Sequence, residues 1–318
     1  MTADAWRVNR KLKLLADGQG GVYSRAQAAD CGYTPGQVHD RIQDGRWERI
    51  RYGQYAEAVD LSHLAPWDQQ GVKHRRLVHA VMNSMRPGTV AVSHQSALAL
   101  HGVPLWGPDL AEVQVSRLDK HRGGRIAGVR HHRGKLTSAD LTALGGLTVT
   151  TVPRALFEMA CTSSFEAAVI SADAVRRDHA ISPDDLQRLL AATEFWPGSA
   201  RARAALDFSD PLSESVGESR LRVLMQTHGL PVPVLQVVFT DDAGFVARVD
   251  FYFPDQRTVV EFDGLVKYAG DTRETLIREK VREDRLRALG LQVVRVIWTD
   301  LDHPSRVVAR IRQAFARA

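Results

Sequence analysis

The chain has 318 residues, 44% of them apolar and 25% charged. That is enough apolar residue for sizeable cores, which excludes wholesale disorder, and the length predicts two or three domains. Forty-two basic against 37 acidic residues give a net charge of +5, too small to identify a nucleic-acid partner by its sum, so the distribution of charge matters more.

No apolar run approaches the ~20 residues of a membrane helix. The opening MTADAWRVNRKLKLL has no apolar core followed by a small-residue cleavage site. Cys31 and Cys161 are too few for a disulfide framework and lack zinc-site clustering. The expectation is a cytoplasmic protein without membrane association. Its expected fold class is multidomain α/β, divided at residues 1–60, 61–210 and 211–318.

In the first domain a helix is expected over 5–15. Ser24-Arg25-Ala26-Gln27 is a capping box, in which the hydroxyl accepts from the third backbone N–H and the Gln reaches back. That helix ends at Cys31-Gly32. Thr34-Pro35-Gly36-Gln37 is a second capping box with Pro at the first helical position, and its helix runs to Asp44-Gly45. Two capped helices across a Gly-containing turn read as helix-turn-helix. The segment 47–56, with Gly53 at its turn, reads as a wing. In such a fold the second helix enters the major groove. Val38 and Ile42 would face the core, while Gln37, His39, Arg41 and Gln43 would meet DNA and Arg46, Arg49 and Arg51 would contact phosphates. A helical interaction module with no DNA role is the alternative. Residues 1–60 carry nine basic and eight acidic residues, and this near-neutrality favours it.

The segment Gly20–Ala56 resembles the winged-helix domain of AbiEi-type antitoxins of type IV toxin–antitoxin systems. The resemblance rests on the Ser24–Gly32 helix, the Gln37–Trp47 helix with its Asp-Gly-Arg-Trp end, and Arg51-Tyr52-Gly53-Gln54-Tyr55. It implies a DNA-binding repressor and a cognate toxin encoded nearby.

The middle region predicts a helix opened by Ser93-His94-Gln95-Ser96-Ala97, strands over 113–115, 126–131 and 147–151, and helices over 153–160, 165–176, 183–192 and 199–208. The Ser-His-x-Ser-Ala pattern and the strand–helix unit Leu147–Ala160 also resemble AbiEi-type proteins. No catalytic motif is expected here. Ser93 reads as an N-cap, and adjacent helical side chains point about 100° apart, so Ser93 and His94 are poorly placed to act on each other. The tract Arg117–Lys135 holds seven Lys or Arg against Asp119 alone. It reads as a solvated hairpin or as a phosphate-contacting surface.

The last hundred residues give the order αβββαβα: helix 214–228, strands 235–240, 245–253 and 258–262, helix 275–289, strand 291–298 and helix 304–315. A hairpin centred between Asp255 and Gln256 sets Asp250 opposite Glu261, with Cβ atoms about 5 Å apart. By the same count Arg248 faces Asp263. Val249, Phe251, Val260 and Phe262 are expected on the core face, given the period of two. Two like charges so close call for a cation between them, and oxygen ligands suit a divalent ion. Glu218 could supply a third carboxylate. The helix at 275–289 alternates arginines with acids, as a solvated face or as a track for a DNA backbone.

This arrangement resembles the PD-(D/E)xK restriction-endonuclease-like core, and more narrowly the domain family related to very-short-patch-repair (Vsr-like) endonucleases. The matching residues include Ser215 to Arg220, Gln236, Arg248-Val249-Asp250-Phe251, Val260 to Gly264, Arg278-Glu279-Lys280, Arg285 and Gly290 to Arg295. The resemblance implies Mg²⁺ held by Glu218, Asp250 and Glu261, and a lysine that positions or activates water. At the expected lysine position stands Asp263. Lys267 or Lys280 could take that role, or the fold has kept its shape without its chemistry. The competing expectations are thus a metal-dependent deoxyribonuclease guided by a winged helix, and a non-catalytic antitoxin-like regulator with a degenerate nuclease-fold scaffold. A DNA-independent adaptor is a third.

Overall fold

A computed structural model describes residues 8–119, 121–179, 181, 183–264 and 273–318. Those residues form a mixed α/β protein of twelve α-helices and three sheets. None of the helices is long and apolar enough to cross a membrane. The chain divides into two compact units, Met1–Ser171 with Ile181–Ala204, and Ala172–Ala180 with Ala205–Ala318.

The first unit begins with α1 (Arg10–Asp17), β1 (Val22–Ser24), α2 (Arg25–Asp30), α3 (Pro35–Gln43), β2 (Trp47–Arg51) and β3 (Gln54–Glu57). Both expected capping boxes form, at Ser24 and at Thr34 with Pro35 at N1. The first helix starts later than expected, because the Asn9 side chain accepts from Leu12 N and caps it there. The expected residues 5–7 of that helix lie outside the described residues. Trp47 is the hub of this core. Tyr23 and Tyr33 set their edges on it at 4.8 and 4.9 Å between ring centroids. Val38 is buried and Ile42 packs on the same cluster, as their spacing on α3 predicts.

Next come α4 (Pro66–Met82), β4 (Val90–Val92), α5 (His94–Leu100), β5 (Val113–Arg117), β6 (Gly124–Ile126), β7 (Val129–His132), β8 (Leu141–Leu144), β9 (Leu147–Thr150), α6 (Val152–Thr162), α7 (Phe165–Asp178), α8 (Pro183–Ala192) and α9 (Ser199–Phe208), of which α7 from Ala172 and α9 from Ala205 belong to the second unit. The strands form one six-stranded mixed sheet in the order β6-β7-β5-β4-β9-β8. The expected strand at 126–131 is two strands, broken by a turn at Ala127 and Gly128, both with positive φ (49° and 76°). That pattern is the type I′ hairpin turn.

The second unit contains α10 (Val216–Thr227), β10 (Val234–Asp241), β11 (Gly244–Phe253), β12 (Thr258–Asp263), α11 (Arg273–Ala288), β13 (Gln292–Ile297) and α12 (Pro304–Phe315). The sheet order is β10-β11-β12-β13, antiparallel except for the parallel pair β12–β13. Phe251 pairs with Val260 and Phe253 with Thr258, so the hairpin turns about the expected centre. Both faces of the sheet are covered. Phe251, Phe253, Val260 and Val296 pack with Leu221, Met225, Val307 and Ile311 of α10 and α12. Val259 and Ala247 pack in a second cluster with Leu286 of α11. Val249 corrects the expected alternation: it is fully buried, but in the α11 cluster rather than with Phe251. The strand turns over at Asp250, beside the β10 residue Gln236, whose φ of 54° is left-handed and rare outside glycine. Helix α10 approaches β12 so closely that a Cβ on Gly217 would stand 1.9 Å from the Phe262 ring.

Candidate functional site

Helix α3 presents Gln37, His39 and Gln43 to solvent, with Arg41 half-buried. Arg41 lies over the Tyr33 ring at 4.9 Å, which fixes its stem by cation–π attraction. Gln37 is partly committed, since its side-chain oxygen accepts from Thr34 N at 2.9 Å in the capping box. Arg46 pairs with Asp44 (2.8 Å). Arg49 is exposed, and Arg51 is half-buried on the hairpin whose tip carries Tyr52, 92% exposed.

In the second unit, α10, β11 and β12 bring Glu218, Asp250 and Glu261 to one place. Ser215 caps α10 by accepting from Glu218 N at 3.1 Å, which sets Glu218 in the first turn. Asp250 Oδ2 accepts from the Phe262 amide across the hairpin at 2.7 Å. The Gln236 amide donates to Glu218 Oε2 at 3.1 Å and favours the charged form of Asp250. Its left-handed backbone thus accompanies a side chain that holds Glu218.

Burial pushes the Glu218 carboxyl up to about 7, and the Asp250 charge adds to the rise. Asp250 is raised by burial against the Phe262 hydrogen bond, with Asp263 adding to the rise. Burial also raises Glu261, against the pull of Arg282 and Arg295. Arg282 Nη2 donates to Glu261 Oε2 at 3.0 Å. Arg295, on β13, reaches Asp263 at 3.2 Å and Glu279 at 3.5 Å. Burial opposes the Arg295 charge, but Asp263, Glu261, Glu283 and Glu279 together hold it above its ordinary range.

Of the expected lysines, Lys267 lies outside the described residues and Lys280 is exposed on α11. The cations brought to the carboxylates are Arg282 and Arg295, which the sequence pattern alone does not assign to the site. The i, i+3, i+4 spacing of Glu279, Arg282 and Glu283 is the available signal. The expected pairing of Arg248 with Asp263 is replaced: Arg248 pairs with Glu214 at 2.7 Å. Nor is α11 simply a solvated face, since Arg285 clamps Asp241 at 2.6 Å.

The donor set suits a hard cation in part. Glu218 and Asp250 are oxygen ligands whose mutual repulsion a divalent ion would relieve, whereas Glu261 is already engaged by Arg282. Among the described residues no group of three His, Cys, Asp or Glu side chains stands close enough to hold an ion as placed.

The middle of the first unit holds a second ionisable cluster and corrects the reading of Ser93. Ser93 occupies the N-cap position without a capping bond, and its Oγ lies 3.0 Å from His94 Nδ1. The two side chains meet because His94 has a φ of 53° rather than helical geometry. His94 stacks on His132 with centroids 3.8 Å apart. Burial, with Arg154 and Arg130 adding, lowers His94 to about 3, and burial with His94 lowers His132 to about 3. Both are therefore neutral at pH 7. Glu158, raised by burial against Arg154, receives Arg154 Nε at 2.8 Å. Ser93 is fully buried, which leaves it no access to a substrate.

Two proteins of Mycobacterium tuberculosis are similar to this chain: the uncharacterized proteins MT2308 (strain CDC 1551 / Oshkosh) and Rv2248 (strain ATCC 25618 / H37Rv). Each is 33% identical over 152 residues, which is 48% of this chain and 55% of the relative. The chain thus spans about half the length of the curated relatives it matches. No family model matches it.

Proposed function

We propose that this protein binds DNA through a winged helix-turn-helix in its first sixty residues, and that its second unit is a nuclease-like domain acting on DNA phosphodiesters with Mg²⁺. The observation that carries the reading is that buried Asp250, on β11, raises both Glu218 of α10 and Glu261 of β12 by its charge, which makes it the centre of an acidic group drawn from three elements. The αβββαβα order with a parallel last pair, and the β11–β12 ladder that ends at Phe251 and Val260, one residue short of Asp250 and Glu261, support it further. In this reading α3 is the recognition helix and the β2–β3 hairpin the wing.

Glu218 and Asp250, with Glu261, would hold the cation. When bound it supplies Lewis acidity and lowers the pKa of a coordinated water. The chain's own contribution is positioning. The Phe262 amide fixes one oxygen of Asp250, Gln236 holds Glu218 and Arg282 orients Glu261. Labelled single-stranded, duplex and mismatched DNA incubated with Mg²⁺ or Mn²⁺ tests the reading. Cleavage by the parent, lost in Asp250→Ala and Glu261→Ala, supports the nuclease.

A second reading is favoured by one observation. Arg282 and Arg295 sit on Glu261 and Asp263, as in a site that has exchanged its metal and lysine for internal ion pairs. The protein is then an AbiEi-like antitoxin or repressor with a nuclease-fold scaffold and a cognate toxin encoded nearby. A folded parent that shifts promoter DNA and cuts none of these substrates favours it.

A further inference from the structure

The β6–β7 hairpin carries more positive charge than its own structure uses. Its register pairs Arg125 with Arg130 directly across the ladder and Gly124 with His131. Like charges directly opposite destabilise a strand pair, so Arg125 and Arg130 work against the hairpin unless an anion lies over them. Arg125 has one internal partner, Glu112 at 2.9 Å, and Arg117 is consumed by Asp119. Arg122, Arg130, Arg133 and Lys135 are exposed and have no ion-pair partner among the described residues.

The surface between these side chains is a groove of about 680 Å³ lined by the four arginines of the hairpin, Gly123, Gly124, His131 and His132. The two glycines leave its floor without side chains, so a ligand can approach the backbone. His131 Nδ1, buried and without a hydrogen-bond partner, also belongs to this wall. The hairpin tip touches the β2–β3 hairpin, where Arg51 Nη2 donates to the Ala127 carbonyl at 3.5 Å. Within the first unit, therefore, Tyr52, Arg51 and the arginines of β6–β7 belong to neighbouring loops.

We infer that the β6–β7 hairpin is a second DNA-backbone contact, a phosphodiester cradle beside the wing that lengthens the footprint of the helix-turn-helix. The inference rests on the DNA-binding reading of the first sixty residues. Phosphate contacts of this kind carry affinity and salt dependence rather than sequence preference. Near-neutrality of residues 1–60 is then no obstacle, because the phosphate charge is met from the middle of the chain.

The test uses the full chain and a fluorescein-labelled mixed-sequence duplex of about three helical turns, with anisotropy read across a salt series. Substituting Arg122→Gln, Arg130→Gln, Arg133→Gln and Lys135→Gln together should weaken binding by about tenfold or more and flatten the slope of log affinity against log salt by about 3. Hydroxyl-radical footprinting should lose protection at one end of the site. The corresponding Arg→Lys set should keep the slope, showing that charge is responsible and that the hairpin still folds. His39→Gln combined with Arg49→Gln should instead reduce binding while leaving the hairpin's end of the footprint protected. An unchanged slope and footprint in the hairpin variant, with the parent still bound, overturns the cradle and leaves the DNA-binding reading standing. A parent that shows no affinity for the duplex overturns both. Retention of duplex DNA binding with loss only of an RNA duplex reassigns the groove to RNA and overturns the inference.

Discussion

Glu158 in the first unit and Glu218 in the second are both buried helical carboxylates, but their surroundings differ. Glu158 has its countercharge, Arg154, one turn away on the same helix, and the neighbouring His94 and His132 are held neutral. Glu218 faces another carboxylate, Asp250, while the guanidiniums nearby sit on Glu261 and Asp263. Burying a charge is tolerable when it is paired and hydrogen-bonded. The first cluster meets that condition within the protein and is closed. The second meets it only for half of its acids, and the remainder is where an external cation gains most.

The largest expected effect breaks the closed cluster. Arg154→Met leaves Glu158 buried without its partner and should destabilise the first unit by about 3–5 kcal/mol, read by urea denaturation. A loss below about 1 kcal/mol would show that the pair is not holding the cluster.

The next effect is opposite in sign in the two units. In the metal-free protein, folded Glu218 holds its proton up to about pH 7, against 4.5 as the ordinary value. Its stabilising contribution, at most roughly 3 kcal/mol, is full below pH 4.5 and lost as pH rises to 7. His94 and His132 behave in reverse. Their contribution is full above pH 6.5 and is lost as pH falls towards 3. Hydrogen exchange, corrected for its intrinsic pH dependence, should show β12 gaining protection and α5 losing it between pH 7.5 and 5. Mg²⁺ at pH 7.5 should protect β12 in the parent but not in Asp250→Asn. Parallel behaviour of the two segments would remove the contrast.

A smaller effect sharpens the placement of Glu218. Gly217→Ala sets a Cβ against the Phe262 ring, an overpacking that should cost about 1–3 kcal/mol and lower the melting temperature of the second unit. Full stability in this variant would mean that α10 and β12 are not held so close. The smallest concerns α3: Thr34→Ala removes a capping acceptor and should cost about 1 kcal/mol in a thermal melt.

What is legible in the sequence is what local chemistry decides. Both capping boxes are set by residues three apart, and the hairpin centred at Asp255–Gln256 fixes the pairing of Phe251 with Val260. Helix α4, with Gly71 inside it, and the short strands β4 and β8 carry periodic signals too weak to announce them. Strands of three or four residues form because neighbouring strands pair with them, which no window on the sequence contains. The same limit applies to the site. Glu218, Asp250 and Glu261 are visible as a pattern. The placement of Arg282 and Arg295 on their neighbours depends on how α11 and β13 lie against β12. The meeting of Ser93 and His94 depends on a backbone conformation that helical spacing does not foresee.

The second unit is not one uninterrupted stretch of chain. Asp173, in α7, belongs to it by position and accepts both from Arg222 Nη2, at 2.7 Å, and from Ser219 Oγ, at 2.7 Å. A gene fragment that starts at the apparent linker near residue 211 would encode every carboxylate of the proposed site and yet omit this anchor. Arg222 of α10 would then lose its acid together with the Phe208 carbonyl to which it also donates. For subcloning, and for any recombination that moves this module between genes, the workable unit has to carry residue 173 with it.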